Sequence, residues 1–217
     1  MKALVVHGHF YQPPRENPWT GEVEAEPSAA PFHDWNERVY AECYAPNAAA
    51  NNYAHISFNF GPTLLSWLEQ HHTDTYQHIL NADRESSARR SGHGNAIAQA
   101  YGHAILPLCN ERDRLTQVLW GIADFRFRFG REPESLWLSE TAANDATLAL
   151  LIEQGLRYVI LAPEQAKRVR PVLGGIDVAG ERTPSIGATD VNDKWTDVSG
   201  GKVDPTRTYR FEHPDAS

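Results

Sequence analysis

Glu134-Ser-Leu-Trp-Leu-Ser-Glu140-Thr-Ala-Ala-Asn144 reads as a short apolar strand that delivers one carboxylate, Glu140, to its end just as a helix begins. The same layout opens the chain, where Ala3-Leu-Val-Val6 runs straight into His7-Gly-His9-Phe-Tyr11-Gln12-Pro-Pro14. In parallel α/β folds, ligands bind outside the carboxyl ends of the strands, so two such ends carrying polar residues predict an α/β enzyme with both facing one pocket.

Working outward from 134–144, Asn144 or Asp145 is placed to cap a helix through Leu151 and Ile152 that stops at Gly155. Arg157-Tyr-Val-Ile-Leu161 follows as a further strand, and Pro163 opens one more helix to about Arg168. Upstream, Leu115, Val118, Leu119, Ile122, Phe125 and Phe129 fall at helical spacing and end at Gly130, predicting an amphipathic helix over 111–129 with a core-facing stripe. Ala54-His-Ile-Ser-Phe-Asn59-Phe60 alternates as a second strand, broken at Gly61-Pro62 ahead of a helix over 63–70. Residues 79–90 begin a helix or loop, and Gly92 to His103 suits a closely approached strand as well as a loop. Tyr11 to Asn52 lacks periodicity and reads as a functional loop with short helical turns near 34–43. Strand and helix alternate, which implies a mostly parallel sheet. Beyond Pro171 the pattern dissolves, with one short strand near Tyr209.

Composition narrows the function. The 217-residue chain has a formal charge of −8 and a pI near 5.7, a balance that attracts neither nucleic acid nor an anionic membrane. Six Trp and eight Tyr suit both core packing and the apolar faces of sugar rings. Cys43 and Cys109 form no CxxC pair, so free thiols in a reducing compartment are expected. The four-residue apolar run before His7 is too short for a signal peptide, and no segment reaches the roughly 20 apolar residues of a bilayer span. A cytoplasmic protein is expected, with its oligomeric state open.

Glu140 has two readings: a carboxylate held ionised by a helix N-terminus, suited to nucleophilic attack, or a cap for the helix that follows. His7 and His9, two apart on a strand, point to one face. They read as hydrogen-bond donors to a sugar first and as metal ligands second, since no spacing motif selects a third ligand among His33, Asp34, His93 and His103, with a pair of structural histidines at a strand end as the third reading. Asn59, His93, Asn95 and His103 are candidate pocket residues or satisfied structural groups. His71 and His72 read as solvated, and Trp195 as a loop residue that covers a ligand or packs.

On these residues the chain resembles glycoside hydrolase family 57, whose members include amylases, glucanotransferases and branching enzymes, from the first strand to about Pro163. His7-Gly-His9-Phe-Tyr-Gln12-Pro13 looks like the opening His-x-His-Gln-Pro motif with two residues inserted, Ser57-Phe-Asn59-Phe resembles the second strand, and Trp137-Leu-Ser-Glu140 resembles the nucleophile motif. The resemblance implies an incomplete (β/α)7 barrel, retaining chemistry on α-glucans without a cofactor or metal, and Glu140 as nucleophile. It implies His7, His9, Gln12, Asn59, Asn95, His103 and Trp137 as substrate contacts. Retaining enzymes use two carboxyl groups about 5 to 5.5 Å apart.

Two departures stand out. Gly92-His93-Gly94-Asn95 offers no glutamate where many members carry one, and no Phe-x-x-Asp segment follows Glu140 to supply the acid. Asp177, Asp190, Asp193, Asp197, Asp204 and Asp215 lie in loop-like contexts, within a loop-rich segment over 172–217. The expectation is an N-terminal portion of a catalytic domain over 1–217 that bears the nucleophile without the proton donor. A metal-dependent polysaccharide deacetylase and a non-catalytic carbohydrate-binding module are the alternatives.

Overall fold

The structure, a computed structural model, describes residues 4–171 and 195–212. Two compact units divide the chain, the first extending to Ile160 and the second covering Leu161–Glu212.

In the first unit, strand β1 is His7–Phe10. The expected strand at 3–6 is displaced: Leu4 and Val5 are 90% and 76% exposed, and pairing begins only where His7 meets Ser57. The reason lies in the partner, because Asn52–Ala54 is a 3-10 turn and leaves residues before His7 no strand to lie against. After β1 the chain has only an isolated bridge, Glu16 to Val23, and a 3-10 turn, Pro27–Ala29, before Asp34, whose carboxylate accepts from the Glu37 amide and caps helix α1, Trp35–Val39. That helix continues through a π-turn, Tyr40–Tyr44, into α2, Ala45–Ala49. The helical run is longer than the expected turns at 34–43. The wider π-turn accommodates Pro46, which lacks the amide proton an unbroken α-helix needs.

Strand β2, Ser57–Phe60, is followed by helix α3, Pro62–His71, with proline in its first turn, and by α4, Thr73–Arg89. Strand β3, Ala98–Gln99, resolves the ambiguous 92–103 segment. Helix α5, Glu111–Phe129, spans the expected residues and ends at Gly130, at φ +66°; the side chain of Asn110 caps its start. Strand β4, Leu136–Trp137, leads to helix α6, Asp145–Glu153, with Asn144 accepting from the Thr147 amide and Gly155 at φ +79° beyond its end. β1 pairs parallel with β2, and β3 pairs parallel with β4. A parallel bridge between Phe58 and Ala96 joins the pairs, so the four strands lie side by side in chain order. The expected strand at 157–161 contributes one parallel bridge, Tyr158 to Ser135, because β4 is short and its chain turns away after Leu138.

Phe58, Leu64, Leu65, Leu68, Ile79, Val118, Leu136 and Leu138 fill the core between the strands and α3 to α5. Within the α5 stripe, Val118, Ile122 and Phe125 are buried, whereas Leu119 is 43% exposed, one position off the buried face. Gly121 is required there, since a Cβ would overlap the Gln99 carbonyl oxygen of β3. Asp83 of α4 pairs with Arg131 through two contacts of 2.8 and 2.9 Å. Together they satisfy Ala96 on both sides, the carboxylate accepting from its amide and the guanidinium donating to its carbonyl.

In the second unit, Pro163–Gln165 is a single 3-10 turn rather than a helix to Arg168. Strand β5, Arg168–Val169, pairs antiparallel with β6, Thr196–Asp197, so Asp197 lies on a strand and not in a loop. Pairing with β6 draws 168–169 into extended backbone, which a helix reaching Arg168 cannot share. Tyr209 lies in no strand; its hydroxyl donates to the Asp204 carbonyl. Asp177, Asp190, Asp193 and Asp215 lie outside the described residues.

Candidate active site

Alternation along β1 sends His7 and His9 to one face, where register sets His7 opposite Ser57 and His9 opposite Asn59. His7 Nδ1 lies 2.9 Å from Ser57 Oγ and its Nε2 3.1 Å from Asn59 Oδ1. His9 Nδ1 lies 2.9 Å from Asn59 Nδ2, and its Nε2 3.1 Å from His103 Nε2. The rings stack as a column. Tyr11 lies 3.9 Å from His103, His103 5.1 Å from His9, His9 4.8 Å from Trp137, and Trp137 5.0 Å from His7, with interplanar angles of 10° to 18°.

Burial lowers the pKa of His7 and His9 against the opposing hydrogen bond from Asn59, and the neighbouring imidazoles lower His9 further. Burial also lowers His103, while the Glu140 charge raises both His9 and His103. Glu140 therefore acts electrostatically on the column that β1 and the β3 loop present.

Glu140 is exposed and lies in a 3-10 turn, Ser139–Thr141, at φ +56°, with Thr141 at φ +53°. Non-glycine residues in the left-handed region cost about 1–2 kcal/mol each and cluster at functional sites. His103, at φ +55°, shares that conformation. The capping reading of Glu140 is excluded, because Asn144 caps α6.

Other candidates fall elsewhere. Gln12 is held by Arg15 at 2.9 Å and reaches Tyr44, fastening the loop after β1. Asn95 is buried, donates to the Tyr53 carbonyl at 3.0 Å and accepts from Arg90. It precedes β3 at the opposite end of the strands from His103. His93 pairs there with Glu134 at 2.9 Å, and His33 pairs with Asp34 at 3.0 Å. His72 is not solvated: it stacks on Tyr40 at 3.5 Å and pairs with Glu37 at 3.1 Å, because the end of α3 packs against the helical run after Asp34. Trp195, in the second unit, has the Arg168 and Arg170 guanidiniums 5.6 and 5.1 Å from its ring.

Among the described residues, no group of three or more His, Cys, Asp or Glu side chains is placed to hold a metal ion. Sequence reasoning missed Ser57, Tyr11 and Gln99. A lone glutamine among the small residues of Ala96-Ile-Ala-Gln99-Ala100 was the available signal for the last.

The family model for glycosyl hydrolase family 57 matches residues 4–215. The chain belongs to that family. Its sequence is 24% identical over 107 residues to alpha-amylase 1 of Dictyoglomus thermophilum, covering 49% of this chain and 15% of that protein. The structure is similar to the 4-alpha-glucanotransferase of Thermococcus litoralis, with a TM-score of 0.53 and 21% identity over 74% of this chain and 22% of that one. It is also similar to the GH57 branching enzyme of Thermococcus kodakaraensis, with a TM-score of 0.54 and 18% identity over 84% of this chain and 44% of that one. At these identities the likeness is one of fold, and the chain spans less than half the length of these relatives. Within the family 57 fold, then, His9, Asn59, His103 and Trp137 lie together toward the carboxyl ends of the strands, with His7 stacked on Trp137 from the start of β1, and Glu140 follows β4.

Proposed function

We propose that this chain carries the nucleophile of a retaining glycoside hydrolase or transglycosidase acting on α-glucans, in a catalytic domain of the (β/α)7 type that also includes the loop-rich 172–217 segment. The observation that carries the reading is Glu140 itself, an exposed carboxylate in left-handed backbone after β4, whose charge acts on His9 and His103. In the first step a Glu140 oxygen attacks the anomeric carbon as the glycosidic C–O bond breaks, and the departing oxygen takes a proton from a general acid. Water or a sugar hydroxyl then displaces Glu140 and gives up its own proton to the deprotonated acid, which is thereby restored. The resemblance assigns no residue of this chain as that acid. His7, His9, Asn59 and His103 offer ring and amide groups for sugar hydroxyls, and the flat faces of Trp137 and Tyr11 suit a pyranose ring.

The acidic surface and the two free cysteines support a cytoplasmic setting, and no helix among the described residues is long and apolar enough to cross a membrane. A deacetylase would need a divalent ion, for which the described residues assemble no donor cluster.

A glycosyl fluoride tests the nucleophile separately from the acid, because fluoride leaves without being protonated by the enzyme. The chain is expected to release fluoride from α-maltosyl fluoride, and Glu140→Gln to abolish that release. A 5-fluoro-α-glucosyl fluoride is expected to label the peptide that contains Glu140. Release that survives Glu140→Gln, or a label on another residue, would overturn the assignment, and binding of maltoheptaose with neither label nor release would favour the non-catalytic module.

A further inference from the structure

Register sets His9 of β1 opposite Asn59 of β2, and Gln99 of β3 opposite Trp137 of β4. Asn59 Nδ2 joins the two pairs by donating to Gln99 Oε1 at 2.6 Å. Four successive parallel strands thus give one side chain each to a single polar layer, in which Asn59 and Gln99 are 0% and 2% exposed.

The protons that link Asn59 to its two histidines can be followed one by one. Asn59 Nδ2 has two, directed to Gln99 Oε1 at 2.6 Å and to His9 Nδ1 at 2.9 Å. Asn59 Oδ1 accepts from His7 Nε2 at 3.1 Å. With Nδ1 of His9 accepting, its Nε2 carries the proton and donates to His103 Nε2 at 3.1 Å. Each of these donors on Asn59, His7 and His9 then has an acceptor, whereas Gln99 Nε2 and Trp137 Nε1 in the same layer have none among the described residues. In the other tautomer, His9 Nδ1 donates to Asn59 Oδ1 at 3.2 Å, and one Nδ2 proton of a fully buried amide is stranded. An unpaired buried donor is costly, so the first arrangement prevails.

That preference holds only while Asn59 faces as it does, and the group that fixes its direction is Gln99 Oε1. Without that acceptor, the turned amide competes, with Oδ1 toward His9 Nδ1 and Nδ2 toward His7 Nε2. His7 would then carry its proton on Nδ1, within 2.9 Å of Ser57 Oγ. We propose that Gln99 is a positioning residue that orients Asn59 and, through it, sets the tautomer of His9. The contact that does this is the one from Asn59 Nδ2 to Gln99 Oε1, while Gln99 Nε2 has no partner among the described residues. The functional part of the inference rests on His9 meeting the substrate, and the tautomer itself does not.

Two variants separate the acceptor from the bulk. Gln99→Met removes the acceptor at similar volume, and Gln99→Glu keeps an oxygen where Oε1 lies while losing no hydrogen bond at the other end. With ¹⁵N-labelled histidine at pH 7.5, and the His9 signals assigned by their loss in His9→Gln, ring nitrogen shifts report the tautomer directly. Wild type and Gln99→Glu are expected to carry the His9 proton on Nε2, and folded Gln99→Met to shift to Nδ1 or to a mixture. A His9 proton on Nδ1 in the wild type, or an unchanged tautomer in folded Gln99→Met, would overturn the proposal. Should Gln99→Met not fold, loss of the Nε2 tautomer in Gln99→Glu would do the same. In the fluoride assay, Gln99→Met is expected to lower kcat about tenfold with a smaller change in KM. Absent fluoride release with the expected tautomers would sink the proposed function and leave this inference standing.

Discussion

Gly121→Ala sets two effects of opposite sign against each other. Alanine in the middle of α5 gains about 0.8–1.0 kcal/mol of helix propensity over glycine. Against that, its Cβ would overlap the Gln99 carbonyl oxygen, and Gln99 C is also within van der Waals reach. The obstacle is backbone, so no rotamer change relieves it, and either α5 or β3 must move. Overpacking a core costs typically about 1–3 kcal/mol, and a rigid backbone obstacle belongs at the upper end of that range. The net expectation is a loss of about 1–2 kcal/mol, which for a chain of this length lowers Tm by roughly 2–8 °C. Thermal unfolding followed by near-ultraviolet circular dichroism, with urea midpoints at constant m, reads this out. A Tm equal to or above that of the wild type would mean that propensity wins and that α5 does not pack on β3 as closely as described. Because β3 carries Gln99, the same variant is expected to disturb the His9 tautomer.

Asp83→Asn leaves the partly buried Arg131 without its counter-charge, and urea unfolding is expected to show a loss of about 3 kcal/mol, the lower end for a broken buried pair; a loss below 1 kcal/mol would argue against the pair as a clamp on Ala96. Asn144→Ala removes the cap of α6 and is expected to cost about 1 kcal/mol by the same measurement. Thr141→Gly relieves a left-handed β-branched residue worth about 1–2 kcal/mol against a glycine penalty of about 0.5–1 kcal/mol, so its Tm is expected to rise, and a fall would count against the strained turn. His7, His9 and His103 have folded pKa values below 6.5. As pH drops from 6.5 through those lower values the unfolded chain binds more protons, and stability falls. Urea midpoints from pH 7.5 to 5 are expected to decline, with a flatter decline in His9→Gln; an identical slope in that variant would refute the assignment to His9.

What the sequence makes legible follows from how local each signal is. The α5 helix is read to the residue because its stripe and its terminal glycine both lie within its own segment. The helical run from Trp35 to Ala49 is under-read, since Pro46 signals a break and only a π-turn, invisible in composition, absorbs it. Strand limits at 3–6 and 157–161 depend on where the partner strand begins and ends, which periodicity does not report. At the site, the carboxylate after β4 stands at a recognisable strand end, and the two histidines share one face of β1 as their spacing predicts. Gln99 is hidden because its importance arises from Asn59 across a strand boundary 40 residues away.

Asn95 and His103 illustrate why neighbourhood in sequence is a poor guide to chemistry. Both lie near glycine, both flank β3, and both read equally well as pocket residues. They differ in which end of the strand they occupy. At the amino ends, Asn95 bonds to the Tyr53 carbonyl and to Arg90, while Glu134 is held by Arg157 and His93. Those groups are spent on holding connections. At the carboxyl ends, His9 and His103 bond chiefly to each other and to Asn59, and Glu140 is exposed beside them with no carboxylate-to-cation bridge among the described residues. Polar groups whose partners are rings and amides, rather than opposite charges, can exchange those partners for sugar hydroxyls at little electrostatic cost. The direction of the strands, more than the identity of the residues, therefore separates the groups that fasten this fold from those free to act on a ligand.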